Sequence, residues 1–329
     1  MYEDFRGCIR LVKNGKTLFS QESGYADLPN EIPNSFERRY PTASAGKAFV
    51  AAGILKLIEE GKLSFDDNLK SLADFDIGRI DGDTTVRELL THTSGVPDYF
   101  DESVMSDYDE LWRDYPNYKI RTSRDLLPLF INKPMLYKRG ERFMYNNSGY
   151  VLLGLIIESV MKKPFDEYLR EAVFEKCGML STGYFELDRL PARCANAYIA
   201  DEKRGGYYTN IFSVDVKGTG AGGAYTTVHD VELFWQGLVG GKIIGKALMD
   251  EMTSVQAQSG NEKYGLGLWL HDIGSEIQLS FEGCDPGVSF FTAFRRKSGI
   301  MLTAVSNFAD DVWKVGWDLI SKAENGELI

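Results

Sequence analysis

Strand-like segments stand at both ends of this chain and helical ones fill its middle, and any core it builds has to respect that order. Residues 7–13 and 17–24 are β-like and are joined by Asn14-Gly15, a dipeptide that strongly favours a tight hairpin turn. Near the other end, residues 264–270, 276–281, 288–295 and 300–306 are runs rich in β-branched and aromatic side chains, separated by turn residues as in an antiparallel meander. Between them the period changes. From 45 to 60 the apolar residues Phe49, Val50, Ile54, Leu55 and Ile58 recur at helical spacing, and Gly61 closes the run. Residues 85–90, 148–161, 164–174, 228–238 and 245–253 also read as helices, with Pro164 suited to a first turn, and 313–320 reads as a terminal helix. The expectation is an α+β fold, in which one antiparallel sheet formed by N- and C-terminal strands is flanked by helices and carries an inserted all-α lobe. No Pro/Gly/Ser-rich linker cuts the chain. Residues 1–329 are therefore expected to form a single domain, with an α/β lobe of about 1–60 and 218–329 and a helical lobe of about 61–217.

With 43% apolar and 26% charged residues, the 329-residue chain can bury a core without disulfide or metal staples. Its net charge of −11 would repel nucleic-acid phosphates and anionic lipid, so neither is an expected partner. The longest apolar stretch, 150–161, is interrupted by Gly154, Glu158 and Ser159 and is too short for a bilayer core of ~30 Å, so no membrane segment is expected. Met1-Tyr2-Glu3-Asp4-Phe5-Arg6 lacks the basic start and apolar run of a secretory signal, which gives a cytoplasmic expectation. Cys8, Cys177, Cys194 and Cys284 are widely spaced and have no zinc-like pairing with histidine, so no metal is expected.

Ser44-Ala45-Gly46-Lys47 fits S-x-x-K where the first apolar helix begins. A spacing of three puts Lys47 on the face of Ser44. A desolvated lysine there loses basicity and can accept the hydroxyl proton, while the helix N-terminus favours a developing alkoxide. The motif is short enough to arise by chance, and a plain N-cap serine beside a solvated lysine would also satisfy it. A second polar element is needed from elsewhere in the chain. Three Y-x-N triplets offer it, at Tyr115, Tyr145 and Tyr208, and of these Tyr145-Asn146-Asn147 stands directly before a strongly apolar helix.

Four stretches in this order, Thr42-Ala43-Ser44-Ala45-Gly46-Lys47, Leu89-Leu90-Thr91-His92-Thr93-Ser94-Gly95-Val96, the Tyr145 segment and Ala221-Gly222-Gly223-Ala224-Tyr225-Thr226-Thr227-Val228-His229-Asp230, spread over most of the chain. Their combination resembles the serine β-lactamase and penicillin-binding-protein superfamily, in its class C, D-alanyl-D-alanine carboxypeptidase and esterase branch. The resemblance implies a serine hydrolase in which Ser44 is acylated, Lys47 and Tyr145 share the base role, and Asn147 bonds the acyl amide of a small-molecule or peptide-like substrate. It implies no cofactor, and it makes the H-T-S-G turn of His92 structural. His229 and His271 are not expected to take part in the chemistry.

The family's third element, Lys-Thr-Gly or His-x-Gly, is aligned with Glu282-Gly283-Cys284, with Asp285 supplying a backbone N–H to the oxyanion hole beside that of Ser44. Glu282 in place of a cation would repel a substrate carboxylate, which disfavours β-lactams and C-terminal peptides and favours an ester, or an amide bearing a cationic group. Beside an esterase or D-amino-acid amidase or peptidase two alternatives stand, a non-catalytic ligand-binding or sensor protein of the same superfamily, because the cationic third element is missing, and a resistance-type β-lactamase. Oligomeric state is left open.

Overall fold

The computed structural model describes residues 2–328. Strands β1 (Gly7–Lys13) and β2 (Lys16–Ser23) form the opening hairpin, with Asn14 and Gly15 at φ 51° and 81° as its left-handed turn requires. The C-terminal part adds β3 (Ala257–Ser259), β4 (Glu262–Tyr264), β5 (Trp269–Asp272), β6 (Ile277–Asp285), β7 (Val288–Arg295) and β8 (Ile300–Ser306). All eight pair antiparallel in the order β2-β1-β8-β7-β6-β5-β4-β3, so the two chain ends meet where β1 pairs with β8.

The sequence suggested one strand over 264–270, and the structure breaks it. Gly265 N donates to Leu268 O at 2.9 Å, closing a turn between β4 and β5. A Cβ at Gly265 would stand 2.1 Å from Met252 O and one at Gly267 2.3 Å from Ala51 Cβ, so these two glycines let the chain fold tightly against helices on that face. Ala257–Ser259, too short to show a period of two, was not anticipated.

Helices α1 (Lys47–Glu59), α2 (Val86–Leu90), α3 (Asn147–Met161), α4 (Val228–Val239) and α5 (Val312–Glu324) divide around the sheet. One face packs on α5: Ile9, Leu11, Phe291, Ala293, Leu302 and Ala304 meet Val312, Leu319 and Ile320. On the other face Phe281 and Phe290 join Phe49 of α1 and Phe234 and Trp235 of α4. In β1, β7 and β8 the residues toward α5 are alternate apolar ones, which is the pleat's period, while the other side carries Arg10, Thr292 and Thr303 among its apolar residues. Helix α1 is therefore sandwiched between the sheet and the helical part, and its apolar residues from Ala48 to Leu55 are all buried.

The inserted region is not purely α. Its last stretch forms a hairpin, Tyr198–Ala200 with Tyr207–Thr209, and Tyr198 N donates to Asn307 O at the end of β8. Three-residue strands carry too little periodicity to be read from sequence. Among the described residues no helix is long and apolar enough to cross a membrane.

Phe49 is fully buried and lies edge-on to Phe174, Phe234 and Phe281 at centroid distances of 5.3, 4.9 and 5.9 Å. Because it joins α1 to both its neighbours, Phe49→Ala is expected to cost about 3–5 kcal/mol. The check is the urea midpoint, with an unchanged denaturant slope.

Candidate active site

Ser44 lies in a tight 3-10 turn, Ala43–Gly46, that runs straight into α1. Ala43 is held at φ 47°, a left-handed conformation that costs free energy in a residue with a Cβ and persists only under surrounding constraint. The glycine-rich stretch after residue 217 supplies that constraint. Gly223 N donates to Ala43 O at 2.9 Å and Thr42 N to Ala224 O at 2.8 Å. A Cβ at Gly222 would fall 2.4 Å from Ala43 O, so only glycine lets the two segments touch.

Lys47 is 2% exposed. Its Nζ donates to Ser44 Oγ at 2.9 Å, to Asn147 Oδ1 at 2.8 Å and to the Ala221 carbonyl at 2.6 Å. Burial lowers its pKa from the usual lysine range to about 8, against the pull of the negative charges of Glu102, Asp98 and Asp285. The aromatic ring of Tyr145 lies 4.9 Å from Nζ. Burial pushes the Tyr145 phenol well above its ordinary value, with nearby carboxylates adding to the rise and a hydrogen bond with Ser44 opposing it, so at neutral pH it is a neutral hydroxyl.

Asn147 opens α3 and is fixed by Asp98, a residue that the motifs did not single out. Asp98 Oδ2 accepts from Asn147 N at 2.7 Å, and Oδ1 accepts from Ser148 N at 3.0 Å and Ser148 Oγ at 3.1 Å. A carboxylate on the free N–H groups of a helix N-terminus is a favourable pairing. Burial nevertheless raises Asp98 to about 6, with those hydrogen bonds and the Lys47 charge opposing. The signal in sequence was an acidic residue just after H-T-S-G, and it needed the contact to become meaningful.

His92 serves the same segment. Its Nδ1 accepts from Asn146 N at 3.1 Å, and its ring lies 4.5 Å from that of Tyr145 and 5.0 Å from that of Tyr150. Burial holds its pKa well below the ordinary value, so the imidazole is neutral. The other two histidines lie away from this cluster: His271 shares a 2.9 Å hydrogen bond with Ser280, and His229 sits in the first turn of α4. Of the rival triplets, Asn117 Nδ2 bonds the Ile211 and Val214 carbonyls, and Asn210 Nδ2 bonds Pro286 O. Neither contacts Ser44 or Lys47.

Strand β6 forms the opposite wall, in a register one residue away from the sequence alignment. Gly283 meets the nucleophile turn: a Cβ there would lie 2.4 Å from Thr42 O and 2.6 Å from Ser44 N. Phe281 and Asp285 share its face, and Phe281 and Glu282 both line the space beside Ser44, Lys47 and Tyr145. Glu282 and Cys284 leave the opposite face of the strand, though both still border the cleft, and Glu282 Oε2 accepts from Trp313 Nε1 of α5 at 2.9 Å.

Main-chain directions shift with the register. Pro286-Gly287, with Gly287 at φ 75°, makes a two-residue turn, so Asp285 pairs with Val288 and its N–H points into the β6–β7 ladder. Alternation then sends the N–H and C=O of Cys284 and Glu282 outward. Strand β5 covers β6 only as far as Ser280, opposite Trp269, and beyond it those groups face the cleft.

The cleft itself is a cavity of about 800 Å³ whose walls include Ser44, Tyr145, Asn147, Cys284 and Asp285. Tyr99, Phe100 and Tyr108 rim it, whereas Trp112 packs away through a hydrogen bond to Ser213 O.

A penicillin-binding protein from Bacillus halodurans has a similar structure, with a TM-score of 0.92 and 36% identity over 96% of each chain. A D-amino acid amidase from Ochrobactrum anthropi SV3 superposes with a TM-score of 0.75 and 25% identity, over 93% of this chain and 87% of that one. Among curated proteins, Penicillin-binding protein 4* of Bacillus subtilis (strain 168) is 27% identical over 303 residues, 87% of this chain. The chain spans 64% of the length of that relative. The Beta-lactamase family model matches residues 7–324, and on that match the chain belongs to the Beta-lactamase family.

Proposed function

We propose that the chain hydrolyses an ester or amide through an acyl enzyme on Ser44. The observation that carries this is the buried Lys47 ammonium 2.9 Å from Ser44 Oγ, with a pKa lowered to about 8. In its neutral form Lys47 takes the hydroxyl proton as Oγ bonds to the acyl carbon. Outward N–H groups of Ser44 and Cys284 are the proposed oxyanion donors, a main-chain role that makes no demand on the cysteine side chain. Tyr145, neutral and next to both, passes the proton to the departing alcohol or amine. Water then attacks the acyl carbon, the C–Oγ bond breaks, and Ser44 regains its proton.

Substrate choice follows from charge. The cavity wall carries Glu102, Asp215, Glu282 and Asp285 and, among the described residues, no lysine, arginine or histidine, so a substrate carboxylate finds no cation there to pair with, and penicillins and C-terminal peptides are poor ligands. Likeness to a D-amino acid amidase supports an amide or ester acyl donor over a β-lactam.

Mass spectrometry of the intact protein after incubation with a p-nitrophenyl ester is expected to show an acyl adduct that Ser44→Ala abolishes, and little adduct with a penicillin. No adduct with either compound would leave a ligand-binding role in its place. Below its pKa Lys47 is protonated and cannot accept a proton, so acylation should rise with pH through a midpoint near 8, the value that burial gives it. Lys47→Ala should lose that limb and about 10²–10⁴ in rate. Gly283→Ala drives a methyl into the backbone of Thr42 and Ser44 and is expected to slow acylation by about a hundredfold, read by stopped-flow with the same ester.

A further inference from the structure

The cavity before Ser44 is lined by Glu102, Asp107, Asp215, Glu262, Glu282 and Asp285 and by no lysine, arginine or histidine among the described residues. Of these six, Asp107 has a distant cation in Arg113 at 4.0 Å, and the other five form no ion pair among the described residues. They fall into two groups. Glu282, bonded by Trp313, has Glu262 as its charged neighbour. Asp285 instead has Asp215 and Glu102. Asp215 Oδ1 accepts from Tyr108 Oη at 3.0 Å, and Glu102 lies 3.4 Å from Asn147 Nδ2, while the Asp285 side chain has no hydrogen-bond partner among the described residues.

Asp285 is placed to read the acyl half of a substrate. Its side chain leaves β6 on the face by which Gly283 touches Ser44, two residues or ~7 Å farther along the strand. The Cys284 N–H, the proposed oxyanion donor, lies between them. A substituent that reaches Asp285 from a carbonyl seated on Ser44 is therefore carried on the carbon next to that carbonyl or on the one after it.

Among the described residues Lys47 is the cation that opposes the charge of Asp285. Burial, and then the neighbouring Asp215, raise Asp285 to about 8, and burial raises Asp215 to about 6, so at neutral pH Asp285 is largely protonated and an ammonium beside it draws it into the ionised form. The groups do not gather into a set that could hold a metal ion. Phe100 and Tyr108 stand edge-to-face beside them, 4.9 Å between centroids, and add aromatic surface that suits an organic cation.

We propose that Asp285, with Asp215 and Glu102, holds the protonated amine of an aminoacyl donor, so that the substrates are amides or esters of amino acids with a free amino group. This rests on the acyl-serine reading of the same site. The reaction adds water across the acyl bond: Ser44 Oγ displaces the leaving amine or alcohol, which takes the proton, and water releases the amino acid.

The test compares alanine p-nitroanilide, as each enantiomer, with its N-acetyl derivative. Free-amine substrate is expected to have a kcat/KM higher by about tenfold or more, since acetylation removes the charge and adds bulk. Asp285→Asn and Asp215→Asn are each expected to pull that ratio toward one. Equal or faster turnover of the N-acetyl compound, or an unchanged ratio in both variants, overturns the proposal.

Turnover of p-nitrophenyl acetate reports on Ser44 chemistry separately, so its failure would indict the hydrolase reading alone. Calorimetry on Ser44→Ala with alaninamide against N-acetylalaninamide then reads amine recognition without turnover. Binding of alaninamide but not of the N-acetyl compound supports the assignment, and no preference between them overturns it.

Discussion

A lysine ammonium withdrawn from water must find its charge and hydrogen-bond partners inside the protein, and Lys47 finds them on segments far apart in sequence. Its Nζ reaches Ser44 one helical turn away, Asn147 at the start of α3, and the Ala221 carbonyl in the glycine-rich stretch. Leaving a buried charge short of partners costs several kcal/mol, so the protonation of Lys47 and the assembly of the cleft are one constraint. The glycines follow from it. Ala221 can approach Lys47 only if the next residues pass against the Ser44 turn, where Gly222 has no room for a side chain.

Around that contact stands a second layer whose members never touch a substrate. Asp98 clamps the first two residues of α3, and α3 in turn presents Asn147 to Lys47. His92, left-handed at φ 57° and neutral, pins Asn146 and lies against the Tyr145 ring. Both residues come from the short connection after α2, so the H-T-S-G-V-P-D run acts as a clasp on the Tyr145 segment. An imidazolium in that aromatic pocket would sit near Lys47 and repel it, which accords with the neutral state that burial imposes.

Much of this was legible in the sequence, and the reasons differ from element to element. The helix of 148–161 and the strands of 288–295 and 300–306 were read to within a residue, because a buried run of that length has few alternatives, whereas the terminal helix, read as 313–320, runs on to Glu324. Ser44, Lys47 and Asn147 could be picked out because a three-residue spacing and a polar triplet before an apolar helix are local signals. Asp98 was missed because its meaning lies in a contact across 49 residues. The third element was aligned one residue off, since Glu-Gly-Cys carries no cation to mark the position. Which residue of a strand faces a nucleophile is a matter of register, and a slip of one exchanges the two faces.

That register separates two tasks on one short stretch of β6. Outward main-chain groups of Glu282 and Cys284 face the cleft beyond the end of β5, where an acyl oxygen needs donors, whereas the side chains of Phe281 and Asp285 leave the face on which Gly283 meets the Ser44 turn. Phe281 packs on Phe49, Phe234 and Trp235 and places an apolar ring beside Lys47. A second cation in its position would both draw in carboxylates and depress Lys47 further. With an apolar ring there, the carboxyls farther along the strand set the sign of the field in the cavity. A positively charged ligand relieves that field and an anionic one must enter against it, so discrimination begins with the charge of the wall before any contact of shape is made.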